Sequence, residues 1–260
     1  MGTADGAGHA EGGEYGLAAL GLAEAPRDHP LSYPGAWPTR SGLLDGDRLL
    51  PLEGTEFPGR TPVLAIGSNA SPGQLRHKMD AFGLTAPLPM LRVRVTGLDV
   101  GVSAHISLHG YVSASPVHSP GTVRELYVIW PDPAQLAAVD ATEPHFDRAR
   151  LPDEIRVQAL GPEGGARLLP GVGVYVNRHG VLRDGSGAPR AHPGQRALIT
   201  ELLAGSAGLR ELFGTTPEEF CARARADAER CARGTGLLAD EGRVTRSGLE
   251  HLVRGGAETA

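Results

Sequence analysis

"TPVLAIGSNASPGQLRHKM", residues 61–79, holds the change of pattern on which the fold turns. Val63, Leu64, Ala65 and Ile66 form an unbroken apolar run, as in a short strand buried on both faces. Gly67, Ser68, Asn69 and Ala70 break that run with small and polar residues. Ser71 then has helix N-cap chemistry, Pro72 suits the first helical position, and Gln74 completes a capping box. Leu75, Met79 and Phe82 recur at helical spacing, and Gly83 supplies a stop. The stretch reads strand, tight loop, helix. Two uses of the loop compete. It is an ordinary strand-to-helix turn, or it cradles an anion against the unpaired N–H groups of a helix N-terminus. In the second case Gly67 lets a ligand approach the backbone and tolerates a positive φ.

Further along, "MLRVRVTGLDV" (90–100) alternates Leu91, Val93 and Val95 against Arg92, Arg94 and Thr96, the pattern of a half-buried strand. "VSAHISLHGYVSAS" (102–115) has more β-like residues, and "TVRELYVIW" (122–130) reads as a strand. "EIRVQAL" (154–160), with Ile155, Val157 and Ala159 on one face, and "VGVYVN" (172–177) supply two more. Asp132, Pro133 and Gln135 open a second helix with another capping box. From Pro193 the chain turns helical through "GQRALITELLAG" and "TPEEFCARARADAERCARG", the latter opened by Thr216, Pro217 and Glu219. Residues 1–30, rich in Gly, Ala and charge, read mostly as a mobile arm, and the Pro-rich stretch after them places Tyr33 and Trp37 on the domain surface. The expected organisation is an N-terminal extension (1–60), a core (61–180) beginning near Pro62, and a helical C-terminal extension (181–260). This order of elements predicts an α+β fold, a small mixed sheet or barrel with helices packed outside.

Composition narrows the function. A net charge of −5 and a pI near 6.1 argue against nucleic acid or an anionic membrane surface as partner. No apolar run reaches membrane-spanning length, and "MGTADGAGHAEGGEYG" lacks the basic and apolar blocks of a signal peptide, so a cytoplasmic location is expected. Cys221 and Cys231 fall ten apart on one expected helix, about 15 Å along its axis, which predicts free thiols. Of the 25 Lys and Arg residues Lys78 is the only lysine, a bias that reads as coding habit.

The second chemical signal is "PAQLAAVDATEPHFDR" (133–148). Leu136, Val139 and Glu143 share one helical face if the helix runs that far, although Pro144 disfavours helix at Glu143. A carboxylate continuing an apolar stripe is desolvated, which raises its pKa and suits it to proton transfer near neutral pH. The competing reading is a helix-end glutamate paired with Arg148 or Arg150.

Taken together, the short strand, Ile66-Gly67-Ser68-Asn69-Ala70, the helix and the later Val139-Asp140-Ala141-Thr142-Glu143-Pro144 resemble the γ-glutamylcyclotransferase-like family. Its loop reads Tyr-Gly-Ser-Asn-Leu and its glutamate sits in Leu-Asp-x-x-Glu-Gly. The resemblance covers residues 62 to about 178, with Ile66 in place of Tyr and Pro144 in place of Gly. It implies a fold of that type and an intramolecular aminolysis. The α-amine of a γ-glutamyl group attacks its own γ-carbonyl, releasing an amine and 5-oxoproline, with Glu143 as general acid and base. It further implies a small-molecule substrate with an anionic or carboxylate group, held by Ile66, Gly67, Ser68, Asn69 and Ala70, and no metal or organic cofactor. Tyr175 reaches the pocket or is a core or edge tyrosine. Arg92 and Arg94 bind a carboxylate or form a solvated face. The long extensions would suit a larger amine in small-molecule biosynthesis.

Rival readings remain. His105 and His109, on one strand face, would stand about 13 Å apart, too far for one metal ion; His118 and His145 add no compact ligand motif. "AIGSNAS" is not a serine-hydrolase elbow. A binding or interaction module of the same fold without turnover is the non-enzymatic alternative. It predicts a salt-bridged Glu143 and a loop cavity filled by side chains.

Overall fold

A computed structural model describes residues 15–160 and 166–254. Of the arm expected over residues 1–30, residues 1–14 lie outside them. Eleven strands run in chain order: β1 (Gly42–Asp45), β2 (Arg48–Pro51), β3 (Val63–Ala65), β4 (Leu88–Val102), β5 (Ala114–Ile129), β6 (Phe146–Arg150), β7 (Arg156–Leu160), β8 (Ala166–Leu168), β9 (Gly173–Asn177), β10 (Val181–Leu182) and β11 (Val244–Thr245). Helices α1 (Pro72–Ala81) and α2 (Pro133–Ala141) lie between strands. After β10 come α3 (Gln195–Gly205), α4 (Ala207–Phe213), α5 (Pro217–Ala226) and α6 (Ala228–Asp240), and α7 (His251–Arg254) follows β11.

Nine strands form one mixed sheet in the order β2-β1-β4-β5-β3-β9-β6, with β7 joined to β4 and β8 to β7. Only the β3–β9 pairing is parallel among the described strands. The architecture is α+β, and of the two expected forms the sheet is the one present: no pairing joins β2 to β6 among the described residues, so a closed barrel is not shown.

β3 earns its central place by being apolar on both faces. Leu64 joins Leu91, Val93, Val128, Val174 and Val176 on one side. Val63 and Ala65 join Met90, Ile129, Leu75, Met79 and Val139 on the other, beneath α1 and α2. The alternation read in "MLRVRVT" holds, since Leu91, Val93 and Val95 are buried while Arg92 and Arg94 turn outward to Glu125 of β5. The capping boxes of α2 and α5 form as expected. That of α1 does not: Ser71 makes no capping bond, and Gln74 Oε1 accepts from the Arg27 backbone N–H at 3.0 Å instead.

Four further expectations are corrected. The core does not begin near Pro62: Leu17, Leu22, Leu44 and Leu49 are buried in the same cluster as α1, and Tyr33 is 4% exposed. The apolar patch "LAALGL" and the β1–β2 hairpin are too short to show a clear period, yet each presents leucines to the helix side of the sheet. Residues 103–113 are not a strand but a loop joining β4 to β5. The last long helix is two, because Asp227 ends α5 and its side chain caps α6 at Arg230 N. Cys221 and Cys231 therefore sit on different helices, both free and buried.

The C-terminal helices brace that loop. Val102, Ala104, Ile106 and Val112 share a core with Leu198, Leu209, Phe213 and Phe220. The carboxamide of Gln195 faces both the N–H and the C=O of Val112. Phe213 and Phe220 are fully buried with ring centroids 4.7 Å apart. Truncating Phe213 to Ala should cost about 3–5 kcal/mol, read as a lower urea midpoint in one cooperative transition. An unchanged midpoint would contradict this packing.

Candidate functional site

One cavity of about 320 Å³ opens where the loop after β3, the loop after α2 and the 103–113 loop meet. Gly67, Ser68, Asn69, Glu143 and Tyr175, far apart in sequence, all line it, as does Ile66. Ala70 does not; it is fully buried in the core beneath the loop.

Glu143 reaches the cavity by a different route from the one expected. Helix α2 ends at Ala141 with Thr142 as its C-cap, and the buried face carries Gln135, Ala138 and Val139. Glu143 lies beyond the helix, its N–H donating to Asp140 O at 3.1 Å. Its carboxylate is not part of an apolar stripe, and neither Arg148 nor Arg150 pairs with it. Lys78 Nζ donates to Glu143 Oε1 at 2.8 Å and to Asn69 Oδ1 at 2.8 Å. Asn69 Nδ2 donates to the same Glu143 Oε1 at 3.0 Å. The three side chains close a ring of hydrogen bonds. Lys78 is 5% exposed at its side chain and Glu143 is 18% exposed, so the pair is largely withdrawn from water.

Lys78, like Arg27, Tyr33 and Tyr111, lines the cavity without having been singled out as functional from the sequence, although it carries a signal: it is the one lysine in a chain that otherwise uses arginine. An ammonium is a compact point charge with three donors, able to serve two oxygens of different residues in a narrow space. A guanidinium is a flat fork suited to one carboxylate.

Gly67 is required for a reason other than a positive φ. Its φ is −138°, outside the left-handed region. A Cβ there would sit 2.3 Å from the Tyr33 hydroxyl. Tyr33 packs its ring on Tyr111 at 4.5 Å, and its hydroxyl accepts from Ala114 N at 2.8 Å. Burial pushes both phenols well above their ordinary range. Although Ile66 brings no ring to the loop, three tyrosines from other elements (Tyr33, Tyr111 and Tyr175) line the cavity.

The expected cradle at a helix N-terminus is also changed. A 3-10 turn, Ser68–Ala70, separates the loop from α1. The carbonyls of Ala23 and Glu24 close over the first turn of α1, so that a Cβ on Gly73 would lie 2.6 Å from each. The positive end of that helix is thus met by this chain's own carbonyl oxygens. What faces the cavity is the loop itself, where the N–H groups of Gly67 and Asn69 have no acceptor among the described residues.

Tyr175 lines the cavity, but its hydroxyl is committed, donating to Asp140 Oδ1 at 2.6 Å. Arg148 grips the same carboxylate through Nε and Nη2 at 2.9 and 3.1 Å. Burial pushes the Asp140 carboxyl up, but these hydrogen bonds outweigh it and hold it below the usual range. Arg92 and Arg94 pair with Glu125 and do not line the cavity.

The histidines rearrange as well. His105 and His145 stack at 4.5 Å between centroids, and His179, not singled out from the sequence, joins them at 5.7 and 5.2 Å. His109 faces Tyr111 instead, and His118 lies against Gly248. Among the described residues no three His, Cys, Asp or Glu side chains are placed to hold a metal ion. Burial, then mutual repulsion with His145 and His179, holds His105 well below its ordinary value, and burial likewise lowers His145 and His179. For His109, burial followed by Arg27 and Lys78 lowers it to about 4.

Neither a protein-family model nor a curated protein matches this sequence. Among solved structures, the chain is similar to a gamma-glutamyl cyclotransferase at 14% identity and a TM-score of 0.33. The likeness covers 45% of this chain and 66% of that one, and it is too slight to carry fold or activity. No described helix is long and apolar enough to cross a membrane.

Two predictions follow from this geometry. Gly67→Ala should destabilise by about 1–3 kcal/mol through overpacking, and Tyr33→Phe by about 1 kcal/mol through the lost hydrogen bond. Combined, they should cost less than their sum, because removing the hydroxyl makes room for the methyl. Strict additivity in urea denaturation would show that the two groups do not compete for space. The second concerns pH. His105, His109, His145, His179 and His192, whose folded pKa values are lowered chiefly by burial, bind fewer protons folded than unfolded, so they contribute stability above about 6.5. That contribution is lost as pH falls through the folded values, about 4 for His109. The unfolding midpoint should drop between these limits, with a shallower slope in His109→Gln. A flat profile would contradict the shifts.

Proposed function

We propose that this cavity is the active site of a γ-glutamylcyclotransferase-like enzyme, which cleaves a γ-glutamyl or related acyl amide by intramolecular aminolysis. One observation carries the reading: the Gly67–Asn69 loop and Glu143 face one open cavity and are joined there by the Asn69–Glu143 hydrogen bond. The neutral α-amine of the substrate attacks its own γ-carbonyl carbon, and a ring C–N bond forms as the scissile C–N bond breaks. Glu143 takes the proton that the attacking nitrogen sheds and returns it to the departing amine, so one carboxylate serves both halves of the step. The N–H groups of Gly67 and Asn69 stabilise negative charge, whether on a substrate carboxylate or on the carbonyl oxygen as the tetrahedral centre forms. Lys78 and Asn69 fix the Glu143 rotamer and leave Oε2 for the reaction. Bringing amine and carbonyl together in one bound conformer supplies a further part of the acceleration.

A second reading, a binding module without turnover, is favoured by one feature: Glu143 is salt-bridged, as that reading requires. The cavity it expects to be filled is open, which favours the enzyme. Incubating the protein with a panel of γ-glutamyl amines and dipeptides should yield 5-oxoproline by mass spectrometry. Glu143→Gln should lower kcat by about 10²- to 10⁴-fold. Product formation that persists undiminished in Glu143→Gln would remove Glu143 from the mechanism, and no product from any member of the panel would leave the binding module as the better reading.

A further inference from the structure

Arg27 enters the cavity wall from the N-terminal segment, which the sequence alone did not connect to any site. Its backbone is pinned by Gln74 at 3.0 Å, while its guanidinium makes no hydrogen bond or ion pair among the described residues. The neighbouring Asp28 carboxylate does not neutralise it, pointing instead toward His77 at 3.8 Å. Among the described residues lining the cavity, two cations, Arg27 and Lys78, accompany a single carboxylate, Glu143, which Lys78 already engages. Arg27 and Glu143 line the same cavity, together with His109 and Tyr111. Arg225 of α5 adds positive potential beside them, with Nη1 donating to Asp28 O at 3.2 Å. His105, His109 and His145, the imidazoles lining the cavity, are all held below their ordinary values and so are neutral near pH 7.

We propose that Arg27 is the anchor for the carboxylate of the acyl group, so that the cavity takes acyl amides carrying a free carboxylate and discriminates against those without one. The proposal rests on the cavity being the acyl-amide site described above. A guanidinium with unspent donors matches a carboxylate in shape and charge, and an interaction of this kind is charge-assisted. The loop N–H groups of Gly67 and Asn69 are then left for the carbonyl oxygen. Arg27 is a positioning and specificity residue; Glu143 alone moves protons.

Calorimetric titration of the full chain tests this with two ligands that share a ring, 5-oxoproline and 2-pyrrolidinone, the second lacking the carboxylate. The protein should bind 5-oxoproline at least tenfold more tightly than 2-pyrrolidinone. Arg27→Gln should weaken 5-oxoproline binding roughly 10- to 100-fold, leave 2-pyrrolidinone unchanged, and keep the parent melting temperature. Arg27→Lys should recover part of the loss, and Glu143→Gln should retain binding. With any turned-over substrate, Arg27→Gln should raise KM far more than it lowers kcat. Binding of 5-oxoproline by Arg27→Gln within twofold of the parent would overturn the proposal, as would a parent protein that binds the two rings equally or binds neither. Arg27-dependent carboxylate binding in a protein that forms no product would sustain the anchor and sink the cyclotransfer.

Discussion

A buried ammonium organises this molecule's cavity. Lys78 projects from α1, Asn69 from the loop after β3 and Glu143 from the turn after α2, and their side chains close on one another at 2.8–3.0 Å. A lysine placed in that space without acceptors would pay a desolvation cost of several kcal/mol. Its acceptors must therefore be held where they are, and that requirement ties three elements together. The ring engages Oε1 of Glu143 and both polar atoms of the Asn69 carboxamide.

The second constraint is steric. The Gly67 backbone and the Tyr33 hydroxyl occupy adjoining space so closely that no side chain fits between them. Tyr33 belongs to a segment that also covers the first turn of α1 and carries Arg27. What looks from the sequence like an appendage is a wall of the cavity. Against that wall, with Tyr111 on Tyr33 at 4.5 Å, packs the 103–113 loop, which has little regular structure of its own. The core it shares with α3 to α6 holds it in place, and that loop carries His105, His109 and Tyr111. Both extensions thus shape the space around a central strand–loop–helix.

The electrostatics of the cavity are asymmetric. Cations outnumber acids around it, the histidines are kept neutral by burial and by one another, and the phenols are kept protonated. Among the described residues lining the cavity, Glu143 is the one carboxylate, and it is paired with Lys78.

How much of this was legible in the sequence follows from the range of the physics involved. Local rules were sufficient for β3, whose four-residue apolar run is buried on both faces. They also sufficed for the alternation in β4 and for the capping boxes at Asp132 and Thr216, where a cap and its partner lie three residues apart. Short-range chemistry likewise marked Gly67–Asn69 and Glu143 as candidates. Tertiary contact decided the rest. It diverted Gln74 from the cap of α1 to Arg27, replaced an expected anion cradle at that helix with the carbonyls of Ala23 and Glu24, and gave Glu143 a lysine partner from 65 residues away. It brought Tyr33 and Arg27 to the cavity and gathered three histidines into a stack. A pairwise interaction between residues so far apart leaves no periodic trace in a single sequence. Its energy depends on a distance that exists only after the sheet has formed. The solitary lysine stood out in composition, but its partners, 9 and 65 residues away, became its neighbours only through tertiary folding.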